Sequence, residues 1–446
     1  MTGRVKIDSR DSIMQTSNST TRRNALIQAS ATFASAVIAP NCVAATPNTA
    51  SPLKPKRIAA IASTYFQGSH ADVILGKIME GWRQDGGRGP ALELSSVYVE
   101  QIRQDDISVE VCERNNVPMF GSIHDAITCG TDGVPVDGII SIGEHGDYPW
   151  NERGQHLYPR RRFFEELTSV LEKYNKRVPV FNDKHLGPEW ADAKWMYERA
   201  KRLRLPLMAG SSLPVSFRTP SPHIEMNSPI EAAVGIGYDG LDIYASHALD
   251  SLQAVIERRR GARTGVKWVE FREGDAVETV FEDGLVERSL FEAALNAVPK
   301  VSRELDPRLA PPKSVILFEC EDGFLGVQFM LQSVIRTSVA VRLRKQHEPQ
   351  AMKFDERAEP KYPHFAYLTK AIERMMHTGK PSYPVERSYL TSGILDRAIR
   401  SWKANGQRFY TPELSIQYSP VDYPHAPLPA LQSDPRLPLS AIKQRP

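Results

Sequence analysis

The chain has 446 residues, of which 41% are hydrophobic and 24% charged, and this composition indicates a soluble globular protein with more than one domain. Its 56 basic and 53 acidic residues leave a formal net charge of +3, which gives no electrostatic case for a nucleic-acid partner. The four cysteines form no C-x-x-C pair, so the sequence predicts neither a disulfide framework nor a cysteine zinc site.

The N-terminus has the pattern of an export signal. Arg22 and Arg23 precede a moderately apolar run at residues 25–39, and small residues follow, with Ala45 at a suitable position for cleavage. The apolar run is too short and too rich in alanine and serine for a transmembrane span. We therefore expect a twin-arginine signal at residues 1–45, a linker at 46–56, and a periplasmic mature chain without a membrane span.

Strand-like and helical patterns alternate after residue 56. The predicted strands occupy residues 57–62, 92–99, 117–120, 136–142, 178–182 and 206–209. The predicted helices between them occupy residues 71–82, 123–128, 160–174 and 190–204. This alternation indicates a parallel sheet covered on both faces, whose ligands bind outside the carboxyl ends of the strands.

The alternation of strand-like and helical patterns ends at about residue 211. The stretch "GYDGLDIYASHALDSLQAVIERRRG" predicts a helix, and strand-like runs follow at residues 266–274, 314–331 and 338–344, with a hairpin signal at 321–323. Two more helices are predicted at 367–378 and 391–405. The predicted fold class is α/β. A Rossmann-like parallel-sheet domain occupies residues 57–211. A C-terminal α+β domain with a large, mostly antiparallel open sheet and helices on one face occupies residues 212–410, before a Pro-rich tail at 411–446.

Several short strings occur in an order that is similar to one known family. They are "SHAD", "VPMFGSIHDAI", "VDGIISIGEHGDYP", "RVPVFNDKHLGPEWADAKWMYERAKRLRLPLMAGSSLP" and "GKPSYPVERSYLTSGILDRAIRSWKANGQRFYTPEL". Over roughly residues 56–418 the chain resembles the glucose–fructose oxidoreductase / inositol dehydrogenase / MocA family (Gfo/Idh/MocA). The resemblance implies NAD or NADP as cofactor, a small carbohydrate-like substrate, and a homo-oligomer that associates through the exposed face of the open sheet.

The loop before the first helix departs from that family. Counting back from His70 places the three glycines of the family's G-x-G-x-x-G motif at Ala62, Thr64 and Gln67. Thr64 adds a β-branched side chain where phosphate oxygens would approach, and Gln67 adds bulk where the helix should pack on the sheet. Phosphate binding through Ser69 and free backbone N–H groups stays open, as does the loss of NAD(P) binding.

Glu100 ends the second predicted strand. It is either a ligand of the cofactor ribose or a surface glutamate.

The resemblance also assigns catalytic residues. In "NDKH", Lys184 aligns with the lysine of the family's Glu-Lys-Pro turn, while Asp183 and His185 replace the glutamate and the proline. This lysine would approach the substrate and the nicotinamide.

The family's catalytic histidine aligns with His247, and Asp250 matches an acid common one turn later. Ile243 stands at the expected aspartate position, so Tyr244, which shares a helical face with His247, is the substitute partner. Lys184 would polarise the reacting oxygen, and His247 with Tyr244 would move the proton.

Three functions remain open at this point. The first is an exported NAD(P)-dependent oxidoreductase acting on a sugar, polyol or sugar-derived substrate. The second is a catalytically degenerate relative that binds a sugar-like ligand or a structural partner without NAD(P). The third is a metal-assisted enzyme, because "GEHGDYPW" places Glu144, His145 and Asp147 at a strand end, near His185 and His247.

Overall fold

The computed structural model describes residues 53–302 and 311–433. The predicted signal, most of the linker and the end of the Pro-rich tail lie outside these residues. Within the described part of the chain, no helix has the length and apolar character needed to cross a membrane.

The first half of the chain forms a five-stranded parallel sheet in the order β2-β1-β3-β4-β5. Its strands are β1 Lys56–Ala62, β2 Leu92–Val99, β3 Gly138–Ile142, β4 Val180–Asp183 and β5 Leu207–Gly210. The helices that connect them are α1 His70–Glu80, α2 Ser108–Arg114, α3 Ile123–Thr128, α4 Arg160–Lys173 and α5 Trp190–Leu203. The predicted parallel sheet is therefore confirmed.

The predicted strand at residues 117–120 is wrong. Met119 forms only an isolated parallel bridge with Val97. Pro118 contributes no N–H to a ladder, and only the carbonyl of Pro118 and the N–H of Phe120 bond to Val97.

The second half forms an eight-stranded sheet in the order β13-β8-β9-β10-β7-β11-β12-β6. Its strands are β6 Phe217–Thr219, β7 Ile230–Gly237, β8 Val266–Glu273, β9 Lys313–Cys320, β10 Leu325–Leu331, β11 Thr337–Leu343, β12 Gln350–Asp355 and β13 Phe409–Tyr410. The strands β7 and β10 pair in parallel and the other neighbours pair antiparallel. This confirms the mostly antiparallel sheet, and β9 and β10 form the predicted hairpin.

Helices cover both faces of this larger sheet. They are α6 Leu241–Ile256, α7 Thr279–Glu282, α8 Arg288–Asn296 and α10 Glu386–Lys403, while α9 Pro363–Thr378 packs against the first sheet. The helices α6 and α10 share one buried cluster with the sheet, while Val280, Leu290 and Ala294 of α7 and α8 share another with strand residues such as Leu317 and Phe329.

The prediction of helices on one face is therefore wrong, because apolar residues of the segment 277–298 cover the second face as well. The surface that we expected to be exposed for self-association is covered there. Self-association itself stays a prediction.

The strand order of the first sheet reverses between β1 and β3, and parallel sheets bind ligands at such a point. On one face of this sheet Ile58 and Ala60 pack with residues of α1 and α9, so a helix from the end of the chain returns to the first sheet. On the other face Ala59 and Ile61 pack with residues of α3, α4 and α5. The crevice between β1 and β3 is therefore fixed by packing on both sides.

Candidate active site

The loop from β1 to α1 is joined to the loop after β3. The Ser63 N–H donates to the Ile142 carbonyl at 3.0 Å, and the Ser63 hydroxyl donates to the Glu144 carbonyl at 2.5 Å. Thr64 is 1% exposed, and an ideal Cβ on Gly146 would lie 3.3 Å from its Cγ2 atom. The Thr64 side chain therefore fills the space between the two loops, at the point where a pyrophosphate would approach.

The N-terminus of α1 is capped by its own side chains. Ser69 accepts a hydrogen bond from the Asp72 N–H at 3.2 Å, and the Gly68 N–H donates to Asp72 Oδ2 at 2.8 Å. The Ser69 hydroxyl and the Asp72 carboxylate thus each accept from a backbone N–H that a phosphate could otherwise use near a helix N-terminus. Ser69 acts as a helix cap in this structure.

The residues at the first and third glycine positions of this loop lie in different environments. Ala62 is fully buried at the end of β1, but Gln67 is exposed. The expectation that Gln67 packs between the helix and the sheet is therefore wrong, because the chain turns at Gly68, whose φ is +78°, and leaves Gln67 on the surface.

Glu100 is held by neighbouring side chains. Its two carboxylate oxygens accept from Arg162 Nη2 at 2.6 and 2.5 Å, and the Tyr148 hydroxyl donates to Oε1 at 2.8 Å. The adjacent Gln101 side chain bonds to both the N–H and the carbonyl of Asp147. These bonds tie the end of β2 to the loop after β3 and use the carboxylate that would have held a ribose.

The residues of this crevice do not fit NAD or NADP bound as in a glycine-rich loop. The three glycine positions carry side chains, the Ser69 hydroxyl caps α1, the Asp72 carboxylate binds the Gly68 N–H, and hydrogen bonds close the gap between the strand ends. A pyrophosphate needs close backbone approach, which the buried Thr64 side chain opposes, and N–H donors, of which those of Gly68 and Asp72 are already bonded.

Lys184 leaves β4 in a left-handed conformation, with φ at +61°. Its N–H donates to the Gly210 carbonyl at 3.2 Å, and its Nζ lies 2.7 Å from Glu144 Oε1. The side chain is 4% exposed, so it is not the solvated lysine of an ordinary turn. It lines the cavity described below.

Glu144 is the centre of a buried network of charges. Arg160 Nη2 donates to Glu144 Oε2 at 2.5 Å, and Arg160 Nη1 lies 3.1 Å from His185 Nε2. Burial favours a raised pKa for Glu144, but the cations of Lys184 and Arg160 outweigh burial and hold this pKa well below its usual value. Burial and Arg160 likewise hold the pKa of His185 well below its usual range, so His185 is a neutral acceptor.

This network of charges occupies residues that were considered as ligands for a metal-assisted enzyme. His185 Nε2 faces Arg160, and Glu144 is already paired with Arg160 and Lys184. Over residues 53–302 and 311–433, no three His, Cys, Asp or Glu side chains are arranged to hold a metal ion. The structure does not bring His145, Asp147 and His185 together as such a group.

His247, on α6, is positioned through Ser211 and Asp250. Its Nδ1 hydrogen-bonds to the Ser211 hydroxyl, and the Ser211 N–H donates to Asp250 Oδ2 at 3.0 Å. The other Asp250 oxygen accepts from the Thr391 hydroxyl at 2.7 Å. Burial, together with the nearby Lys184 cation, holds the pKa of His247 well below its usual value. The ring is therefore neutral and leaves Nε2 for the cavity.

The residues that flank His247 on α6 have separate roles. The Tyr244 and His247 ring centroids are 6.4 Å apart, and both side chains line the cavity. Asp242 instead accepts from the His156 N–H at 2.9 Å, which anchors the long loop after β3.

A histidine–aspartate pair was not predicted from the sequence. His70 Nδ1 donates to Asp183 Oδ2 at 2.6 Å, and the Asp183 side chain is 1% exposed. The His70 ring lies 5.9 Å from the His145 ring and 6.4 Å from the His247 ring, measured between centroids. A carboxylate that holds one ring nitrogen is the arrangement used by histidine acid–base catalysts. No sequence signal pairs residues 70 and 183, because their contact arises only when β4 and α1 meet at the crevice.

These side chains meet at one cavity of about 600 Å³. Residues at the strand ends of the first sheet that line it include Gly68, His70, Glu144, His145 and Lys184. Residues from the second half of the chain that line it include Tyr238, Tyr244, His247, Arg336, Glu356 and His364. The structure therefore brings the predicted Lys184, Tyr244 and His247 together and adds residues that sequence reasoning missed.

No protein-family model matches the sequence, and no curated protein is similar to it in sequence. Solved structures do share its fold. GenD2 from gentamicin A biosynthesis, solved in complex with NAD, is 11% identical with a TM-score of 0.53, over 82% of this chain and 99% of GenD2. A putative myo-inositol dehydrogenase from Sinorhizobium meliloti 1021 is 10% identical with a TM-score of 0.51, over 80% of this chain and 99% of its own.

The apo scyllo-inositol dehydrogenase from Lactobacillus casei is 8% identical with a TM-score of 0.51, and the match covers 80% of this chain and 98% of that enzyme. Likenesses at this level of identity establish the fold, while function depends on the site. The predicted fold resemblance is confirmed, because the chain shares its fold with these solved structures.

Proposed function

We propose that this protein binds a sugar, polyol or sugar-derived compound in the cavity and moves a proton on it. One observation carries the proposal: three side chains suited to proton transfer line the same cavity, each held by a buried partner. The pairs are His70 with Asp183, Lys184 with Glu144, and His247 with Ser211. Such paired groups are pre-oriented for acid–base work.

The three groups have different tasks in this proposal. His70 has its Nδ1 fixed by Asp183, so its Nε2 takes a proton from the carbon beside the substrate's carbonyl group and then returns a proton to that carbon or to its neighbour, while the Asp183 carboxylate stabilises the imidazolium in between. Lys184 places a cation beside the oxygen on which negative charge develops. His247 is neutral because of burial and can exchange a proton with a second hydroxyl, with Tyr244 beside it.

The substrate class follows from the lining of the cavity and from the fold. A volume of about 600 Å³ lies within the range of small-molecule sites, and its walls present imidazole, phenol, ammonium and carboxylate groups that hydrogen-bond to hydroxyls. Solved structures with this fold include proteins named as inositol dehydrogenases. A compact molecule with several hydroxyls suits this lining.

A second candidate is the NAD(P)-dependent oxidation of a CH–OH group on the same kind of substrate. It is supported by the fold shared with GenD2, which was solved in complex with NAD, and by Lys184 and His247 lying in one cavity as the family resemblance implies. The filled crevice at Thr64 and the capped α1 oppose it, and they favour the first candidate.

Two measurements separate the candidates. Calorimetric titration with NAD⁺, NADH, NADP⁺ and NADPH should show no binding. Mass spectrometry of the small molecules released when the purified protein is denatured should show no nucleotide. Saturable binding or a released nucleotide would establish the second candidate.

For the first candidate, a panel of neutral sugars and polyols is screened by ligand-observed NMR. Lys184→Met and Asp183→Asn should keep binding and lower the rate at which carbon-bound hydrogen of the bound compound exchanges with solvent deuterium, followed by NMR, at least about 100-fold. A wild-type protein that binds none of the panel contradicts the proposal.

We also infer export to the periplasm by a twin-arginine signal, on the strength of the Arg22–Arg23 pair and the apolar run after it. The paired substitution Arg22→Lys/Arg23→Lys should retain the full-length precursor in the cytoplasm, as measured by cell fractionation. A mature, periplasmic product from that variant would contradict the inference.

A further inference from the structure

A second group of cavity-lining residues takes no part in the proton transfer. Tyr238 follows β7, Arg336 precedes β11, Glu356 follows β12, and His364 lies in the first turn of α9. The eight-stranded sheet and the segment after it therefore supply a separate wall of the cavity.

Glu356 is bonded through only one of its two oxygens. The Tyr238 hydroxyl donates to Glu356 Oε2 at 2.6 Å. Glu356 Oε1 is buried and has no hydrogen-bond partner among the described residues. An unpaired buried acceptor destabilises the folded state, and proteins keep few such atoms without a purpose. Because Glu356 lines the cavity, a ligand donor is the natural partner of Oε1.

His364 repeats this pattern on the same wall. The residue is 4% exposed, and its Nδ1 atom also has no hydrogen-bond partner among the described residues. Burial, with the nearby His70 and Lys77, lowers the pKa of His364 to about 3, so the ring is neutral near pH 7. Its ring centroid lies 4.7 Å from that of Phe365 and 6.1 Å from that of Tyr362, and its ring also hydrogen-bonds to the Arg357 backbone.

The charges on this wall select the kind of group that binds. The Glu356 carboxylate repels a phosphate or carboxylate of a ligand, while Arg336 and Lys184 line the same cavity and disfavour an ammonium group. A neutral hydroxyl suits both, since it donates to the carboxylate without adding charge.

We infer that Glu356 and His364 form a hydroxyl-recognition subsite, in which Glu356 Oε1 accepts a hydrogen bond from a hydroxyl of an uncharged sugar or polyol. This inference rests on the proposed function and deepens it, because it makes Glu356 a specificity-determining residue. The subsite selects neutral polyhydroxy compounds over their acidic or phosphorylated analogues.

The test compares Glu356→Gln with Glu359→Gln, an exposed glutamate in the same segment. Binding of myo-inositol, D-glucose, D-glucuronate and D-glucose 6-phosphate is measured by calorimetry or ligand-observed NMR. The wild type should bind a neutral probe at least tenfold more tightly than the anionic probes. Glu356→Gln should weaken neutral-probe binding at least tenfold, while Glu359→Gln stays within twofold of the wild type.

Deoxy analogues of the bound probe locate the hydroxyl concerned. One analogue should weaken binding to the wild type and leave binding to Glu356→Gln unchanged. If Glu356→Gln does not fold, as judged by circular dichroism, Glu356→Asp retracts the carboxylate with its charge intact and should show the same loss.

The outcomes also separate the two proposals. A wild type that binds a neutral probe, with Glu356 variants that bind it within twofold, overturns the subsite alone. A wild type that binds no probe overturns the proposed function and the subsite with it.

Discussion

Lys184 Nζ lies 2.7 Å from Glu144 Oε1, and the two side chains are 4% and 1% exposed. The ammonium group is therefore held at the end of β4 by a carboxylate from the loop after β3, with Arg160 on the other oxygen of that carboxylate. This triad fixes Lys184 in the cavity and joins the two strand ends that meet there. Its integrity is open to direct measurement.

Glu144→Gln should lower the free energy of unfolding by about 3–5 kcal/mol, because it leaves two buried cations without an anion. Urea denaturation followed by circular dichroism measures the change. Glu166→Gln is the matched control: Glu166 pairs with Arg162 on the surface of α4, and its loss should cost less than about 1 kcal/mol. Equal losses in the free energy of unfolding would show that the buried triad stabilises the fold no more than a surface ion pair does.

Stability should fall as the pH is lowered from 7 to 5. Burial lowers the pKa of His145 to about 4 and that of His364 to about 3, below the value of about 6.5 in an unfolded chain. The unfolded state then binds more protons, so the stabilisation present above pH 6.5 is lost as the pH falls, by up to about 1.4 kcal/mol per pH unit for each histidine.

Asp242 acts in the opposite direction. Burial raises its pKa to about 6, so the folded state takes up this proton first and gains stability below that pH. Thermal unfolding at pH 7, 6.5, 6 and 5 should show a larger loss of stability per pH unit between pH 6.5 and 5 than above pH 6.5. A flat or rising stability over that interval would contradict the assignment of neutral histidines.

Gly210→Ala should destabilise the protein by more than about 1 kcal/mol. Gly210 has φ at +128°, and an ideal Cβ would lie 2.6 Å from Ser388 Oγ and 2.9 Å from Asp250 Oδ2. Gly240→Ala is the control, since Gly240 has φ at −62° and nothing within 4 Å of an added Cβ. Chemical denaturation compares the two variants, and similar values would mean that the backbone at residue 210 adapts freely.

Restoring the three glycines should not create a nucleotide site. In the triple variant Ala62→Gly/Thr64→Gly/Gln67→Gly, the Ser69 cap and the Asp72–Gly68 bond remain at the start of α1, and the Glu100–Arg162 bonds still close the crevice. We expect the dissociation constant for NAD⁺ by calorimetry to stay above about 1 mM, a binding free energy weaker than about 4 kcal/mol. Micromolar binding would show instead that the glycine positions alone decide cofactor binding.

The sequence pattern predicted the features that depend on residues close together in the chain. Alternating strands and helices predicted the parallel sheet, and the spacing of Tyr244 and His247 placed both on one face of a helix that lines the cavity. The pairs His70–Asp183 and Lys184–Glu144 could not be predicted, since each joins residues far apart in sequence.

The predictions that the structure contradicts failed for local reasons. Gln67 was assigned to the helix–sheet contact by alignment, but the turn at Gly68 leaves it on the surface. The predicted strand at 117–120 contains a proline that cannot donate to a ladder. The segment 277–298 was not predicted to cover the second sheet face, because its short helices, α7 and α8, lack a long apolar period.

The cover formed by α7 and α8 has a consequence for handling this protein. With both faces of the eight-stranded sheet packed, Val315, Leu317 and Phe329 face an apolar layer that water would otherwise reach. Deleting residues 274–298 would expose this apolar layer to water and favour aggregation. Truncations aimed at a smaller, soluble domain should therefore retain this segment.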